Sequence, residues 1–593
     1  MPNSKNALRL LTCLATGALS TLLAEPQVTR PNVILIVTDD QGYGDFGVMG
    51  NTVIETPHLD AMAGRSVRWG DFYVSPVCSP TRASLMTGRY NFRTGVLDTW
   101  LGRSMMATEE TTVAEILREE GYATGIFGKW HLGDNYPMRA MDQGFEESLV
   151  TRGSGLGFPS DPIESNQRYS DPILIHNGRE VRTKGYCTNV YFTEAIRWMR
   201  QKHTEGRPFF AYIPTNAPHA PYHDVPDELR QHYLGKNLAS LVRGPVADLP
   251  KAVDVLSRIA AMITNIDENI GLLFAALKES GLYENTLVVF LTDNGPAGAR
   301  FVGPFRGQKT EVLEGGIRTP MWAHWPARLP GGRTVEHMPA AHIDLMPTLL
   351  EACGAPLPSN RKIDGRSVLT QLLHPETPLP DRPLVIQTHR VNQLNRPQRY
   401  HNFMLREGKW KLVHPSGFTS ETMQAPLALQ LYDLSNDPGE QTDLARQMPD
   451  LVERLRSTYD RWYDDVMATV LAEPPPPPIM IDAARENPVV LTWQERVAHR
   501  WVRGSVGFWK LELAEEGLFD VQVDMPAAHA PRGDWRLILA IGGQTYEQPV
   551  SASSRSALFS CIQIPTGQTQ LRADLVLPDG SKEGGYQVRL TRR

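Results

Sequence analysis

The sequence predicts an α/β fold with a mixed, mainly parallel sheet flanked by helices, then a smaller C-terminal α+β subdomain and a terminal β-sandwich module. Three observations predict it. Four apolar runs of strand length lack the alternation of a half-wet sheet, helical patterns lie between them, and the texture changes near Asp381 and again after five consecutive prolines.

The four runs are Val33 to Val37, Thr124 to Phe127, Phe209 to Ile213 and Leu287 to Leu291. They lead into Thr38-Asp39-Asp40, Gly128-Lys129-Trp130-His131, Asn216-Ala217-Pro218-His219 and Thr292-Asp293-Asn294-Gly295. Ligands of open α/β sheets gather beyond the carboxyl ends of the strands, so these four tails are expected to converge. Helices are expected over Thr111 to Glu120, with Val113, Ile116 and Leu117 on one face, and over Val253 to Lys278, with Ile259, Met262, Ile263, Ile266, Ile270 and Leu273 at helical spacing. Another is expected over Met346 to Ala352.

From Asp381, short strand candidates such as Lys409 to Val413 and Leu431 to Leu434 mark the subdomain. Pro474 to Pro478 favour a stiff polyproline spacer. Beyond it, Phe508 to Leu513, Leu518 to Val523, Trp535 to Ile541, Ala557 to Ile564 and Tyr586 to Leu590 alternate apolar with polar residues, as sandwich strands do. The expected organisation is a signal peptide at 1–24, an α/β domain at 25–380, the subdomain at 381–472, a Pro-rich linker at 473–484 and the β module at 485–593.

Lys5 and Arg9 precede an uncharged apolar stretch from Leu10 to Ala24, the pattern of a secretory signal with cleavage after Ala24, so export to the periplasm or the medium is expected. Lipidation through Cys13 is the alternative. No later stretch reads as a membrane span. The formal charge of −6 over 593 residues excludes the strong basic field of a nucleic-acid binder. Cys78, Cys187, Cys353 and Cys561 lack paired spacing and do not form a disulfide framework; Cys353 and Cys561 read as buried thiols.

Asp39-Asp40 and Asp293-Asn294 offer only oxygen ligands, which suits a hard cation such as Ca²⁺ or Mg²⁺; singly, each pair would equally suit a turn or cap. The basic set is Arg82, Lys129, His131, His219 and Lys309. Singly, these lysines suit a solvated surface and these histidines a structural hydrogen bond. Together with a cation they would hold a tetrahedral oxyanion such as the sulfate or phosphate of an ester. In Cys78-Ser79-Pro80-Thr81-Arg82, a proline suited to a helix's first turn places the cysteine beside a helix N-terminus, where an anion would sit.

That segment resembles the Cys-x-Pro-Ser/Thr-Arg signature of type I sulfatases, here with Thr81 for the commoner serine. From about residue 30 to 465 the chain is similar to sulfatases of the alkaline phosphatase superfamily, through Pro31 to Asp40, the cysteine segment, Gly128-Lys129-Trp130-His131-Leu132-Gly133, Pro218-His219, Thr292 to Gly295, and Lys309 to Gly316. The resemblance implies an alkaline-phosphatase-like fold and a Cys78 oxidised by a maturation enzyme to formylglycine. In its hydrate one hydroxyl attacks sulfur and the other then expels sulfate. It implies Ca²⁺ held by Asp39, Asp40, Asp293, Asn294 and modified residue 78. Arg82 and Lys129 would stabilise the oxyanion, His131 would accept a proton, His219 would protonate or polarise the leaving oxygen, and Lys309 would hold sulfate oxygens.

Glu314 and Arg318 read as loop-shaping, Trp130 as packing and His223 as pocket-lining; Asn189 stands where the family often has aspartate. The loop Arg152 to Asp171 is expected to border the pocket. Trp501, Trp509 and Trp535 suit either core or sugar contact, so the β module reads as structural support or as a sugar binder. The expected function is an exported sulfuric ester hydrolase acting on a sulfated carbohydrate. Rival readings are a phosphodiester or phosphonate monoester hydrolase and a silent carbohydrate-binding protein.

Overall fold

The structure is a computed structural model that describes residues 30–165, 168–390, 396–419, 427–472, 475–498, 506–525, 535–551 and 553–593. The expected signal segment, Trp501 and Pro474 lie outside the described residues.

Ten strands form the main sheet: β1 (Asn32–Thr38), β2 (Val67–Trp69), β3 (Ala123–Lys129), β4 (Glu147–Thr151), β5 (Ile173–His176), β6 (Arg179–Arg182), β7 (Phe209–Pro214), β8 (Thr286–Thr292), β9 (Met321–His324) and β10 (Thr334–Val335). Their order is β10-β2-β9-β8-β1-β7-β3-β4-β5-β6. The four expected strands are the adjacent set β8-β1-β7-β3, all parallel. Antiparallel pairs lie towards the edges, so the sheet is mixed and parallel at its centre.

Burial on both faces explains the unbroken apolar runs. Val33, Leu35 and Val37 pack into one core with Phe210, Leu287 and Leu291, while Ile34 and Ile36 pack into a second with Ala211, Ile213 and Phe290. The second core also takes Met262, Ile266, Ile270 and Leu273 from the long helix Leu249–Glu279. Asp248 caps the start of that helix, its side chain accepting from Lys251 N at 2.9 Å. This helix is long and apolar enough to cross a bilayer, but 78% of its most apolar window is buried inside the protein, so its apolar surface belongs to the core. The helix Val113–Glu119 starts at a capping box formed by Thr112 and Glu115.

Register brings the strand ends level. Thr38 pairs with Thr292 and Val37 with Pro214, which puts Asp39, Asp293 and the segment after β7 at one edge of the sheet. Gly128 on β3 has φ 141°, and a Cβ there would lie 1.8 Å from the Pro214 carbonyl oxygen, so close packing of β3 on β7 requires glycine.

The subdomain is a four-stranded antiparallel sheet (Leu384–Gln387, Phe403–Glu407, Trp410–His414, Gln430–Asp433), and helix Pro449–Ala472 packs Leu455 and Tyr459 against it. The C-terminal module stacks a seven-stranded and a four-stranded sheet around one apolar core. Trp509 and Trp535 are buried in that core, and so do not present a sugar-binding face. Strand Ile479–Ile481, within the span read as a linker, pairs in parallel with Gly507–Leu513 and belongs to the module's sheet.

Cys353 is buried, but Cys561 is exposed, contrary to the expectation. A register shift opposite Phe519 and Val521 leaves Ser560 and Cys561 against the single residue Asp520. Cys561 takes a left-handed φ of 54° and turns outward.

Candidate active site

The tails of β1, β3, β7 and β8 meet at the N-terminus of helix Cys78–Thr87. Ligand-capable atoms of Asp39, Asp40, Cys78 and His219 all lie within 4.8 Å of one another. The Cys78 Sγ is 3.5 Å from Asp39 Oδ1, and Lys309 Nζ is 3.7 Å from the sulfur. Thr81 holds the preceding turn, its Oγ1 accepting from Ser75 N at 3.0 Å.

Each carboxylate faces a cation. Lys129 Nζ is 2.5 Å from Asp39 Oδ2, Lys309 Nζ is 2.6 Å from Asp40 Oδ1, and Arg82 Nη2 is 2.8 Å from Asp293 Oδ2. Arg82 also donates to the Lys129 carbonyl at 2.8 Å, tying the helix to β3. His219 Nε2 is 3.6 Å from Asp40 Oδ2, and its Nδ1 lies 2.7 Å from the Ala220 carbonyl, which fixes the proton on Nδ1. Asp39, Asp40, Cys78, Arg82, Lys129, His131, Asp293 and Asn294 are buried. His219 and Lys309 keep 15% and 18% of their side chains exposed, which places the mouth of the site beside them.

Asp40 and His131 adopt left-handed backbone angles, φ 65° and 62°. Two strained non-glycine residues, just beyond the ends of β1 and β3, are held because their surroundings over-determine them. For Asp40, Arg300 supplies part of that hold by donating to its carbonyl at 2.8 Å from a buried pairing with Asp45.

Burial would raise the Asp39 and Asp40 carboxyls, but Lys129 and His219 around the first, and Lys309 and His219 around the second, outweigh it and keep both below the usual range. Asp293 goes the other way, raised to about 7 by burial and by Asp39. Burial lowers His131 well below an ordinary histidine, with Lys129 and Arg82 adding to it, so its ring is neutral. Burial also lowers His219, with Asp40 opposing. Burial, then Asp39, pushes the Cys78 thiol up to about 12, so an unmodified residue 78 is a neutral thiol rather than a nucleophilic thiolate.

A hard cation fits this donor set. Asn294 Nδ2 is committed to Asp40 Oδ1 at 2.8 Å and to the Gly295 carbonyl at 2.9 Å, whereas the buried Asn294 Oδ1 has no hydrogen-bond partner among the described residues. That orphaned oxygen beside Asp39, Asp40 and Asp293 is what a cation would satisfy. With Asp293 held ionised by a bound cation, three carboxylates offset Arg82, Lys129 and Lys309, so a divalent ion would give the pocket the positive charge an ester sulfate needs.

A sulfatase family profile matches residues 31–355. The chain belongs to the sulfatase family. A profile for the C-terminal region of N-sulphoglucosamine sulphohydrolase matches residues 307–462. This sulfatase is 31% identical over 478 residues to N-acetylgalactosamine-6-sulfatase of Canis lupus familiaris, covering 74% of this chain and 85% of that protein. It is 32% identical over 499 residues to arylsulfatase A of Homo sapiens, covering 75% and 89%. Among solved structures, that of Ps i-CgsB in complex with k-i-k-neocarrahexaose superposes with a TM-score of 0.62 at 30% identity, covering 73% of this chain and 93% of that one. The sulfatase is accordingly a sulfuric ester hydrolase.

The remaining sequence candidates divide. Trp130 is core, its Nε1 donating to the Met138 carbonyl at 2.9 Å. Glu314 forms a buried clamp: Lys411 Nζ lies 2.9 Å from it and 2.8 Å from Glu440, so the subdomain holds the loop that presents Lys309. Arg318 joins Glu314 at 3.2 Å. His223 is exposed. Asn189 accepts from Asn265 and Asn269 on the long helix, a structural contact. The loop from Arg152 does reach the mouth, where the Phe158 ring lies 5.3 Å from the His219 ring. Sequence reasoning missed Arg300, Lys411, Thr99 and Gln494, whose residue types are common and which no local spacing marks. Glu440 closes the segment Asn436-Asp437-Pro438-Gly439-Glu440, which resembles the family's C-terminal subdomain, but that resemblance assigned it no role.

Proposed function

We propose that this sulfatase is exported and removes sulfate from a sulfated carbohydrate, using a formylglycine derived from Cys78 and a calcium ion. The observation that carries the reading is the cluster of Asp39, Asp40, Cys78 and His219 within 4.8 Å, ringed by Arg82, Lys129 and Lys309.

The formylglycine hydrate would supply the attacking hydroxyl and a second hydroxyl whose deprotonation releases sulfate. Asp39, Asp40, Asp293 and the Asn294 oxygen would hold the calcium, whose charge would neutralise sulfate oxygens. At the exposed mouth, Lys309 reaches a sulfate oxygen by its ammonium. His219 enters the step as the imidazolium, gives its Nε2 proton to the leaving oxygen as the ester bond breaks, and is left as the neutral Nδ1–H ring. His131 has the opposite setting: its neutral Nδ1 takes a proton inside the pocket. Arg82 and Lys129 hold Asp293 and Asp39 in place and add positive charge where oxyanion charge develops. Cys78 is only 2% exposed, so the maturation enzyme has to reach this segment before it folds.

The carbohydrate reading draws on the relatives named for N-acetylgalactosamine 6-sulfate and on the neocarrahexaose complex. The mouth suits it as well. Phe158 and Trp100, both half-buried, meet edge to face at 5.7 Å beside His219, an apolar wall for the C–H face of a sugar ring.

Parallel kcat/KM measurements on an aryl sulfate, a phosphodiester and a phosphonate monoester test the reaction, with a panel of defined sulfated saccharides for the substrate. Faster turnover of either phosphorus ester would replace the sulfatase reading by its rival. An intact thiol at Cys78 in protein from the native host, read by mass spectrometry, would favour a silent binding protein.

A further inference from the structure

The C-terminal module reaches the reaction centre through Gln494. Strand Val489–Leu491 ends in a turn that inserts this side chain, 3% exposed, between the Thr99–Ser104 loop and His131. Gln494 Nε2 lies 2.6 Å from the Thr99 carbonyl, 2.7 Å from Ser104 Oγ and 3.1 Å from His131 Nε2. The surrounding backbone is tied to the same surface: Gly102 N donates to the Gln494 carbonyl at 2.8 Å, and Asp134 N to Glu495 Oε1 at 2.7 Å. Met105 and Met138 from the α/β domain extend the module's own apolar core.

These distances determine where the protons are. With the amide reversed, its oxygen would face the Thr99 carbonyl oxygen at 2.6 Å, a repulsive contact, so the NH₂ points there. Its two hydrogens go to the two nearest acceptors, Thr99 O and Ser104 Oγ. His131 Nε2 lies 2.8 Å from the same Thr99 carbonyl, which can only accept, so Nε2 carries the proton. The 3.1 Å nitrogen–nitrogen separation is then two donors converging on one carbonyl. His131 Nδ1 is left with its lone pair, buried and without a hydrogen-bond partner among the described residues.

We propose that Gln494 is a positioning residue for His131: it anchors the Thr99 carbonyl that holds the ring as the Nε2–H tautomer, leaving Nδ1 to accept a proton, which makes the C-terminal module part of the catalytic unit. The role assigned to Nδ1 rests on the function proposed above; the tautomer itself does not.

The test uses the full-length protein with residue 78 matured to equal extent, checked by mass spectrometry. Long-range ¹H–¹⁵N spectra of histidine-labelled protein report the tautomer, the His131 signal being the one lost in His131→Asn. The wild type should show Nε2–H and Gln494→Leu a mixture of tautomers. On an aryl sulfate, Gln494→Leu should lower kcat by about ten- to a hundredfold with KM little changed. In a His131→Asn background it should cost nothing further, because a residue acting through His131 is non-additive with it. A wild-type Nδ1–H tautomer, an unchanged kcat in Gln494→Leu, or a fully additive loss would each overturn the proposal. The wild-type spectrum, assigned with His131→Asn, answers even if Gln494→Leu does not fold. A protein with the Nε2–H form that turns over no sulfate ester supports the contact while overturning the sulfatase reading.

Discussion

Lys309 Nζ lies 2.6 Å from Asp40 Oδ1 and is the most exposed cation of the pocket's carboxylate pairs, joining the buried ligand set to the opening. Burial would lower its ammonium, but Asp40, with Asp39 beside it, outweighs that and holds it well above an ordinary lysine, so the charge persists at any working pH. Lys309→Met should lower kcat by about a hundred- to a thousandfold, the usual cost of losing one oxyanion-stabilising donor. The melting temperature should fall as well, because the buried Asp40 carboxylate loses the cation that faces it. Activity within a few-fold of wild type on an aryl sulfate would remove Lys309 from the chemistry.

The two histidines set the pH profile. In the proposed mechanism His131 is the base and is competent above its pKa, which lies well below 6.5; His219 is the acid and is competent below its pKa, also lowered from 6.5. The kcat/KM profile should therefore be a bell with its maximum on the acid side of pH 6.5, its falling limb belonging to His219. His219→Gln should reduce the maximum and abolish that limb. A maximum in the alkaline range, or a profile flat from about pH 5 to about pH 9, contradicts the assignment.

Chelation should lower both activity and melting temperature, and calcium should restore both, because an ion bound only by the folded state stabilises it by about 2.7 kcal/mol at a hundred times its dissociation constant. Asn294→Leu, which removes the orphaned oxygen, should abolish the calcium-dependent rise. Stoichiometric zinc in the purified protein, or a melting temperature indifferent to calcium, would refute the oxygen-ligand site.

Glu495 gives a linkage prediction at the interface between the module and the α/β domain. Burial, then the neighbouring Asp134, raises its carboxyl well above the ordinary glutamate value of 4.5. A raised folded-state pKa contributes stability that is complete below the ordinary value and is lost as pH rises through the folded one. Glu495→Gln keeps the acceptor for Asp134 N, so it should raise the melting temperature at about pH 8 by about 2 °C or more and leave it nearly unchanged at about pH 4. Destabilisation at about pH 8 would show that the ionised carboxylate is compensated there.

The central strands were legible because a parallel strand buried on both faces cannot alternate: Val33 to Val37 serves one core with its odd residues and the other with its even ones. The site residues were legible because β1, β3, β7 and β8 deliver Asp39, Lys129, His219 and Asp293 at or just beyond their carboxyl ends. Cys561 was misplaced because a bulge changes the side a residue faces without changing the apolar pattern.

By itself the sequence determined the α/β fold, the family motifs and the residues to watch at each strand end, since those follow from local pattern and short spacing. Only the tertiary structure decided which atoms meet: that Arg82 binds Asp293 211 residues away, that Lys411 of the subdomain clamps the Lys309 loop through Glu314, and that Gln494 of the terminal module sits against His131. The reason is physical. A hydrogen bond between remote residues depends on how sheets and modules dock to fractions of an ångström, and a common residue such as glutamine carries no local signal of where docking will put it.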